Sequence, residues 1–142
     1  EMAGVDGQAV IDKFDAEVPF VRKLANKASE RAEANGFVKT ILGRQLHFEQ
    51  RDNGSYDYTH KALNRVIQGS SADQTKLAIV EIDRAGHYLQ LQVHDETNGS
   101  YADVEEAREV GRIMKDCILD RCDPWLPFMV DTECGPNWAE IK

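Results

Sequence analysis

Apolar residues recur at intervals of three and four along much of the chain, a spacing that predicts amphipathic helices. The first predicted helical stretch covers residues 6–35, and Pro19 is expected to divide it, because proline is favoured at the first position of a helix. Further helices are predicted over residues 60–84 and 103–121. Gly36 follows the first stretch, as glycine often does where a helix ends.

Short β-prone runs lie between and after these helices. Residues 37–42 and 45–48 flank a Gly-Arg pair and predict a hairpin, and residues 88–93 alternate between apolar and polar side chains as a strand does. A last strand is predicted to begin at residues 128–130. Helices combined with a few short strands predict an α+β fold.

Length and composition narrow the class of protein. The chain has 142 residues, of which 42% are hydrophobic and 30% charged, so it has the size of one domain and can bury a core. It lacks both an apolar run of about 18 residues and a leader-like N-terminus, so we expect no membrane partner. Three cysteines at irregular spacing argue against a disulfide framework and fit a reducing compartment such as the cytoplasm.

The charge is unevenly distributed. The whole chain carries a net −8, whereas the segment from Phe20 to Arg65 holds nine Lys or Arg against five Asp or Glu, a net of +4. A basic segment in an acidic chain is typical of a surface that faces anions. A solvated helix face of mixed charge is the alternative, and the pattern alone leaves both open.

Candidate chemistry is found first at His94-Asp95-Glu96, directly after the predicted strand. A carboxylate that faces a cleft at a strand end suits a hard divalent cation such as Mg²⁺. A complete two-metal site needs more carboxylates than these. An ordinary acidic turn is the competing interpretation.

A second candidate is the polar stripe formed by His60, Asn64 and Gln68, which are four residues apart and share one helix face, with Arg65 beside them. Such donors can meet the acceptors of a nucleic-acid minor groove, although the stripe by itself favours a polar face turned to solvent. Arg44, in the predicted hairpin turn, could bring a guanidinium to a phosphate.

Three segments, taken in order, make the pattern more specific. They are HKALNRVIQGSSAD at 60–73, LQVHDE at 91–96 and VDTECGPNW at 130–138. Together they resemble the C-terminal part of family A DNA polymerases, the DNA polymerase I type, and the resemblance runs from about residue 10 to 142. His60 and the Gly-Pro-Asn-Trp ending are closer to the bacteriophage branch than to the bacterial one.

The resemblance implies a role for each residue of the acidic turn. Asp95 corresponds to the second catalytic aspartate of the palm, which helps to hold two Mg²⁺ ions on the incoming deoxynucleoside triphosphate and the primer end. Glu96 corresponds to its supporting carboxylate, and His94 to a residue near the primer terminus.

The resemblance also implies DNA contacts. Asn64 and Gln68 correspond to residues that touch the minor groove of the primer–template. His60 stands where many relatives have arginine, and Arg44 corresponds to a weaker template-strand contact. Arg65 is expected among the DNA-binding residues as their neighbour on the helix.

The family pattern divides the chain into residues 1–58, the C-terminal part of the fingers, and residues 59–142, the C-terminal part of a partial palm. The family's first catalytic aspartate and its triphosphate-gripping helix are expected upstream. We therefore expect activity only with an upstream polymerase chain that shares the two Mg²⁺ ions. The 142-residue chain itself would then be either one subunit of a split polymerase, which Met2 as a start favours, or an excised fragment. If it is phage-encoded, we expect it in the cytoplasm of a bacterial host.

One departure from the family pattern follows Glu96. Relatives continue there with apolar residues, whereas this chain has Thr-Asn-Gly-Ser-Tyr at 97–101, so we expect a short second strand. The missing palm strands are expected to leave Leu89, Leu91 and Val93 exposed. A non-catalytic DNA-binding or interaction relic of a polymerase is the alternative function.

Overall fold

The computed structural model describes residues 7–119 and 128–141. The chain forms two compact units, one up to Gln68 and the other from Gly69. Helices and two small antiparallel hairpins make up both units, which confirms the α+β prediction. Among the described residues, no helix has the length and apolarity needed to cross a membrane.

The first unit begins with two consecutive helices. Helix α1 spans Gly7–Glu17 and helix α2 spans Pro19–Asn35, so the proline divides the predicted stretch as expected. Gly36 ends α2 in a left-handed conformation, with φ +74° and its N–H bonded to the Ala32 carbonyl. The apolar side chains of α1 are about half exposed rather than buried: Val10 54%, Ile11 47% and Phe14 50%.

The predicted hairpin follows α2. Strand β1 (Phe37–Lys39) pairs antiparallel with strand β2 (Gln45–His47), with Val38 opposite Leu46. The core of this unit consists of Ala32, Val38, Phe48 and Ala62, with Tyr56 and Val66 packed against it. The hairpin therefore contributes buried side chains as well as backbone pairing.

A short 3₁₀ turn at Thr59–Lys61 leads into helix α3, which spans Ala62–Arg84 and continues into the second unit. The turn is held against α2 by two hydrogen bonds. Ser29 Oγ donates to the Thr59 carbonyl at 3.1 Å, and Thr59 Oγ1 donates to Glu33 Oε1 at 3.1 Å. The start of α3 is thereby anchored.

The second unit contains the rest of α3, a hairpin of β3 (Leu91–Val93) and β4 (Glu96–Asn98), and helix α4 (Val104–Asp116). A 3₁₀ turn at Trp138–Glu140 lies near its C-terminal end. Its core is built on Ala78, Ile82 and Val110, and the half-buried residues around them are Leu89, Tyr101, Ile113, Met114 and Cys117.

Several sequence expectations were wrong in extent. Strand β3 begins only at Leu91, and α4 ends at Asp116, with the expected end at residue 121 outside the described residues. Residues 128–130 form no strand, and Val130 lies near Gly111 of α4 instead of pairing. A Cβ at Gly111 of α4 would meet Thr132 Oγ1 at 2.4 Å, which shows how closely this segment approaches the helix.

Candidate active site and nucleic-acid-facing residues

The acidic motif lies at the tip of the β3–β4 hairpin. Val93 pairs with Glu96, which leaves His94 and Asp95 as a two-residue turn. His94 has φ +54°, a left-handed conformation that is uncommon for a non-glycine residue and costs on the order of 1–3 kcal/mol. The Gln92 side-chain amide donates to the His94 carbonyl, so the turn is held by its own strand.

Both carboxylates of the motif face solvent. Asp95 and Glu96 are exposed and line the same open cleft of the second unit. Neighbouring side chains of a strand point to opposite faces of the sheet. This rule does not apply to Asp95 and Glu96, because Asp95 belongs to the turn and only Glu96 belongs to β4. The structure therefore brings the two predicted carboxylates to one cleft.

The donor chemistry of this pair fits a hard cation, since carboxylate oxygens are the ligands that Mg²⁺ prefers. Within the described residues, no group of three or more His, Cys, Asp or Glu side chains could hold a metal ion. Asp95 and Glu96 can thus contribute to a cation site but do not form a complete one with their described neighbours.

The expected second strand is short, as predicted. Strand β4 ends at Asn98, and Thr97 Oγ1 contacts Met114 Sδ at 3.6 Å, which ties the strand to α4. Asn98 Nδ2 and the Tyr101 hydroxyl are buried without a hydrogen-bond partner among the described residues. Leu91 and Val93 are 44% and 36% exposed, as expected, whereas Leu89 packs against the core.

Burial changes the acidity of two groups that pack against the core of the second unit. It raises the pKa of the Tyr101 phenol, with a further contribution from nearby Glu106, and it raises the pKa of the Cys117 thiol, helped by Glu81. Both groups are therefore neutral at physiological pH. Cys117 and Cys134 are free thiols, and Cys122 lies outside the described residues.

The predicted polar stripe belongs to the first unit. His60 lies in the 3₁₀ turn and Asn64 and Gln68 follow on α3, and all three side chains are exposed. Four-residue spacing on a continuous helix keeps Asn64 and Gln68 on one face. Side-chain amides and an imidazole are thus presented together to solvent.

The two arginines differ in their surroundings. The Arg65 guanidinium lies 4.5 Å from the centroid of the Phe48 ring and donates to the His47 carbonyl at 2.7 Å, so it is half-buried and joins α3 to β2. Arg44 is exposed in the hairpin turn, and its backbone N–H donates to Thr40 Oγ1 at 3.0 Å.

Sequence reasoning did not single out Tyr58 or Gln92. Tyr58 precedes the stripe, is 56% exposed and has φ +55°; Tyr58 and His94 are the two non-glycine residues with positive φ in the described part of the chain. A single tyrosine in a sequence does not reveal a positive φ, and a glutamine in a strand does not reveal that its side chain will bond to the next turn. The Asp-Tyr-Thr sequence just before a helix was the only available signal.

Comparison with known proteins supplies the family. The family model for DNA polymerase family A matches residues 2–140. A DNA-directed DNA polymerase of Pseudomonas phage M6 is 48% identical over 139 residues, covering 98% of this chain and 20% of the phage protein. DNA polymerase I of Chloroflexus aurantiacus is 32% identical, covering 94% of this chain and 15% of the bacterial protein.

Among solved structures, the polymerase domain of Pol1 from M. smegmatis, in complex with a DNA primer–template and dNTP, has a similar fold. The TM-score is 0.64 at 24% identity, over 82% of this chain and 22% of that chain. The chain thus spans about a fifth or less of the curated relatives named above.

Proposed function

The chain belongs to DNA polymerase family A, and on that premise we propose that it is part of a DNA-directed DNA polymerase whose other segments lie outside it. The observation that carries the proposal is the family match over residues 2–140, which includes the His94-Asp95-Glu96 turn. Because the chain spans only 20% of its phage relative, the rest of the active site would come from an upstream polymerase chain or segment.

Asp95 would be the catalytic carboxylate of this portion. When bound, two Mg²⁺ ions would neutralise charge on the triphosphate and the primer end. Asp95 would hold them, Glu96 would support it, and His94 would lie near the primer terminus. The exposed position of both carboxylates in one cleft supports this assignment, because a cation site shared with another segment must be open.

The first unit would bind the primer–template. Asn64 and Gln68 would donate to minor-groove acceptors, and His60 would extend the contact at the start of the stripe. Arg44 would meet the template-strand phosphates, and Arg65 would position this surface through Phe48 and His47 as well as contribute charge. In family terms, residues 1–58 would belong to the fingers and 59–142 to the palm.

Primer extension tests this proposal directly. The chain is assayed with Mg²⁺, all four deoxynucleoside triphosphates and a primer–template, both alone and mixed with a polypeptide that supplies the upstream portion of a family A polymerase. We expect extension only in the mixture. Extension by the chain alone would contradict the proposed sharing of the site.

The role of Asp95 is tested in the same mixture. Asp95→Ala is expected to lower extension by on the order of 10³-fold, the scale seen when a pre-organised electrostatic group is removed, with DNA affinity nearly unchanged. Asp116→Ala, at the exposed end of α4, is the matched control and should extend normally.

A DNA-binding relic is the second candidate, and the short β4 favours it, together with the Asn98 amide, which has no hydrogen-bond partner among residues 7–119 and 128–141. It predicts that the mixture binds primer–template without extending it, and that Asp95→Ala changes nothing measurable.

A further inference from the structure

Tyr58 combines a left-handed backbone conformation with an exposed side chain. Its φ of +55° and ψ of +26° are left-handed, and it sits immediately before the 3₁₀ turn that opens α3. A tyrosine in this region is uncommon and costs free energy, and such residues cluster at functional sites. More than half of its surface, 56%, is open to solvent.

Cationic and aromatic groups surround the ring. Lys61 Nζ lies 4.7 Å from the ring centroid, within cation–π range, and the His60 ring lies 6.2 Å away at an angle of 62°. The Arg51 guanidinium is also nearby, and its pKa is raised chiefly by Asp57 and in smaller part by Tyr58. An exposed ring beside positive charge is the combination that single-stranded nucleic-acid sites use.

Two carboxylates of neighbouring residues already have partners. Asp57 forms an ion pair with Arg51, and Glu33 accepts a hydrogen bond from Thr59 Oγ1 at 3.1 Å. The segment from Phe20 to Arg65 has a net charge of +4 in a chain of −8. A phosphate beside Tyr58 would thus meet Lys61 rather than an unpaired acid.

We propose that Tyr58 is a stacking site for an unpaired nucleic-acid base, with Lys61 contacting the adjoining phosphate. This rests on the proposed function, since it requires that the chain bind DNA. It deepens that function because Tyr58 immediately precedes the His60–Asn64–Gln68 stripe, so the base would lie at the N-terminal end of the groove-facing residues. The ring would recognise an unpaired base of any identity, because every base offers a π face.

Fluorescence anisotropy with two DNA probes tests the proposal on the 142-residue chain. One probe is a blunt duplex and the other is the same duplex with a single-stranded extension. Tyr58→Asn removes the ring but keeps a residue that tolerates the left-handed backbone, so the fold is preserved. Tyr58→Phe keeps the ring.

We expect Tyr58→Asn to weaken binding of the extended probe by about 5- to 100-fold and to leave the blunt duplex unaffected. Tyr58→Phe should bind both probes as the wild type does. Ile67→Ala, a 58% exposed apolar residue on α3, is the matched control and should change neither affinity. Circular dichroism of each variant confirms that the fold is retained.

Three results would overturn the inference: no loss in Tyr58→Asn, equal loss for both probes, or a loss in Tyr58→Phe as large as that in Tyr58→Asn. In each of them the wild type still binds primer–template, and the proposed function survives. If the wild type binds neither probe, the proposed function fails together with the inference.

Discussion

At the scale of single residues, unusual backbone angles occur where function is proposed. His94 and Tyr58 are both left-handed without being glycine, one in the acidic turn and the other before the polar stripe. Each conformation is supported locally, by the Gln92 amide at His94 and by the Lys61 N–H, which donates to the Tyr58 carbonyl at 2.9 Å. Strain that persists at such positions is consistent with selection for side-chain placement rather than for stability.

Gly36 illustrates a left-handed position where only glycine fits. Its φ is +74°, and an added Cβ would lie 2.6 Å from the Tyr56 ring. We expect Gly36→Ala to lower the free energy of unfolding by about 2 kcal/mol or more, from the left-handed backbone and the clash together. Gly43→Ala is the matched control, since Gly43 has φ +85° and a Cβ there would meet no atom of the described residues within 4 Å, and it should cost only about 1 kcal/mol. Urea unfolding measures both, and equal losses would refute the clash.

At the scale of elements, side chains rather than backbone pairing connect the short strands to the helices. Arg65 joins α3 to β2, and Thr97 joins β4 to α4. His87, just after α3, bonds through Nδ1 to Glu106 Oε1 of α4 at 3.1 Å. Hairpins of three-residue strands are marginal alone, so these contacts supply the stability that the ladders lack.

The Glu106 contact makes stability depend on pH. Two hydrogen bonds to the Glu106 carboxylate lower its pKa below the ordinary value of 4.5. The larger contribution comes from the Ala102 N–H and the smaller one from the His87 ring. A carboxyl whose pKa is lower in the folded state stabilises the fold above its unfolded-state pKa, and that stabilisation disappears as pH falls through the folded-state pKa. We therefore expect the urea midpoint to fall less steeply below pH 4.5 in Glu106→Gln than in the wild type.

Glu109→Gln serves as the control for this effect. Its Oε2 lies 3.9 Å from His87 Nε2, beyond hydrogen-bond distance, so its pH dependence should follow the wild type. Identical slopes for Glu106→Gln and the wild type would show that the contact does not contribute.

At the scale of the whole molecule, charge is divided between an acidic chain and a basic segment. The net charge of −8 opposes nucleic-acid binding in general, whereas the segment from Phe20 to Arg65 carries +4. Binding by that segment would release counterions from DNA, and affinity would fall as salt rises.

The salt dependence distinguishes the two arginines. We expect Arg44→Gln to reduce the slope of log affinity against log salt for a primer–template by about 0.9, the contribution of one neutralised phosphate. Arg65→Gln should change the slope less and lower unfolding stability more, because its guanidinium bonds to the His47 carbonyl and packs on Phe48. Anisotropy titrations at several salt concentrations measure the slopes, and a larger slope change for Arg65 would reverse the assignment.

Much of the architecture could be read from local patterns. Helix periodicity, Pro19 and Gly36 located α1 and α2, and the Gly43-Arg44 turn located the first hairpin. The spacing of Asn64 and Gln68 was enough to place them along one face of α3, whereas His60 lies in the 3₁₀ turn before the helix. These features depend on residues close in sequence, so the chain determines them by itself.

Tertiary structure decided what depends on distant neighbours. Residues 128–130 have strand composition but form no strand, because a strand forms only where a partner offers hydrogen bonds, and Val130 lies near Gly111 of α4 instead. Arg65 became a packing residue because Phe48 and His47 lie beneath it. Asp95 and Glu96 line one cleft because the pairing of Val93 with Glu96 places Asp95 in the turn of the hairpin. Local sequence thus determined the secondary-structure elements and the functional groups they carry. Tertiary packing determined which of those side chains stay exposed to a ligand and which are engaged in the fold.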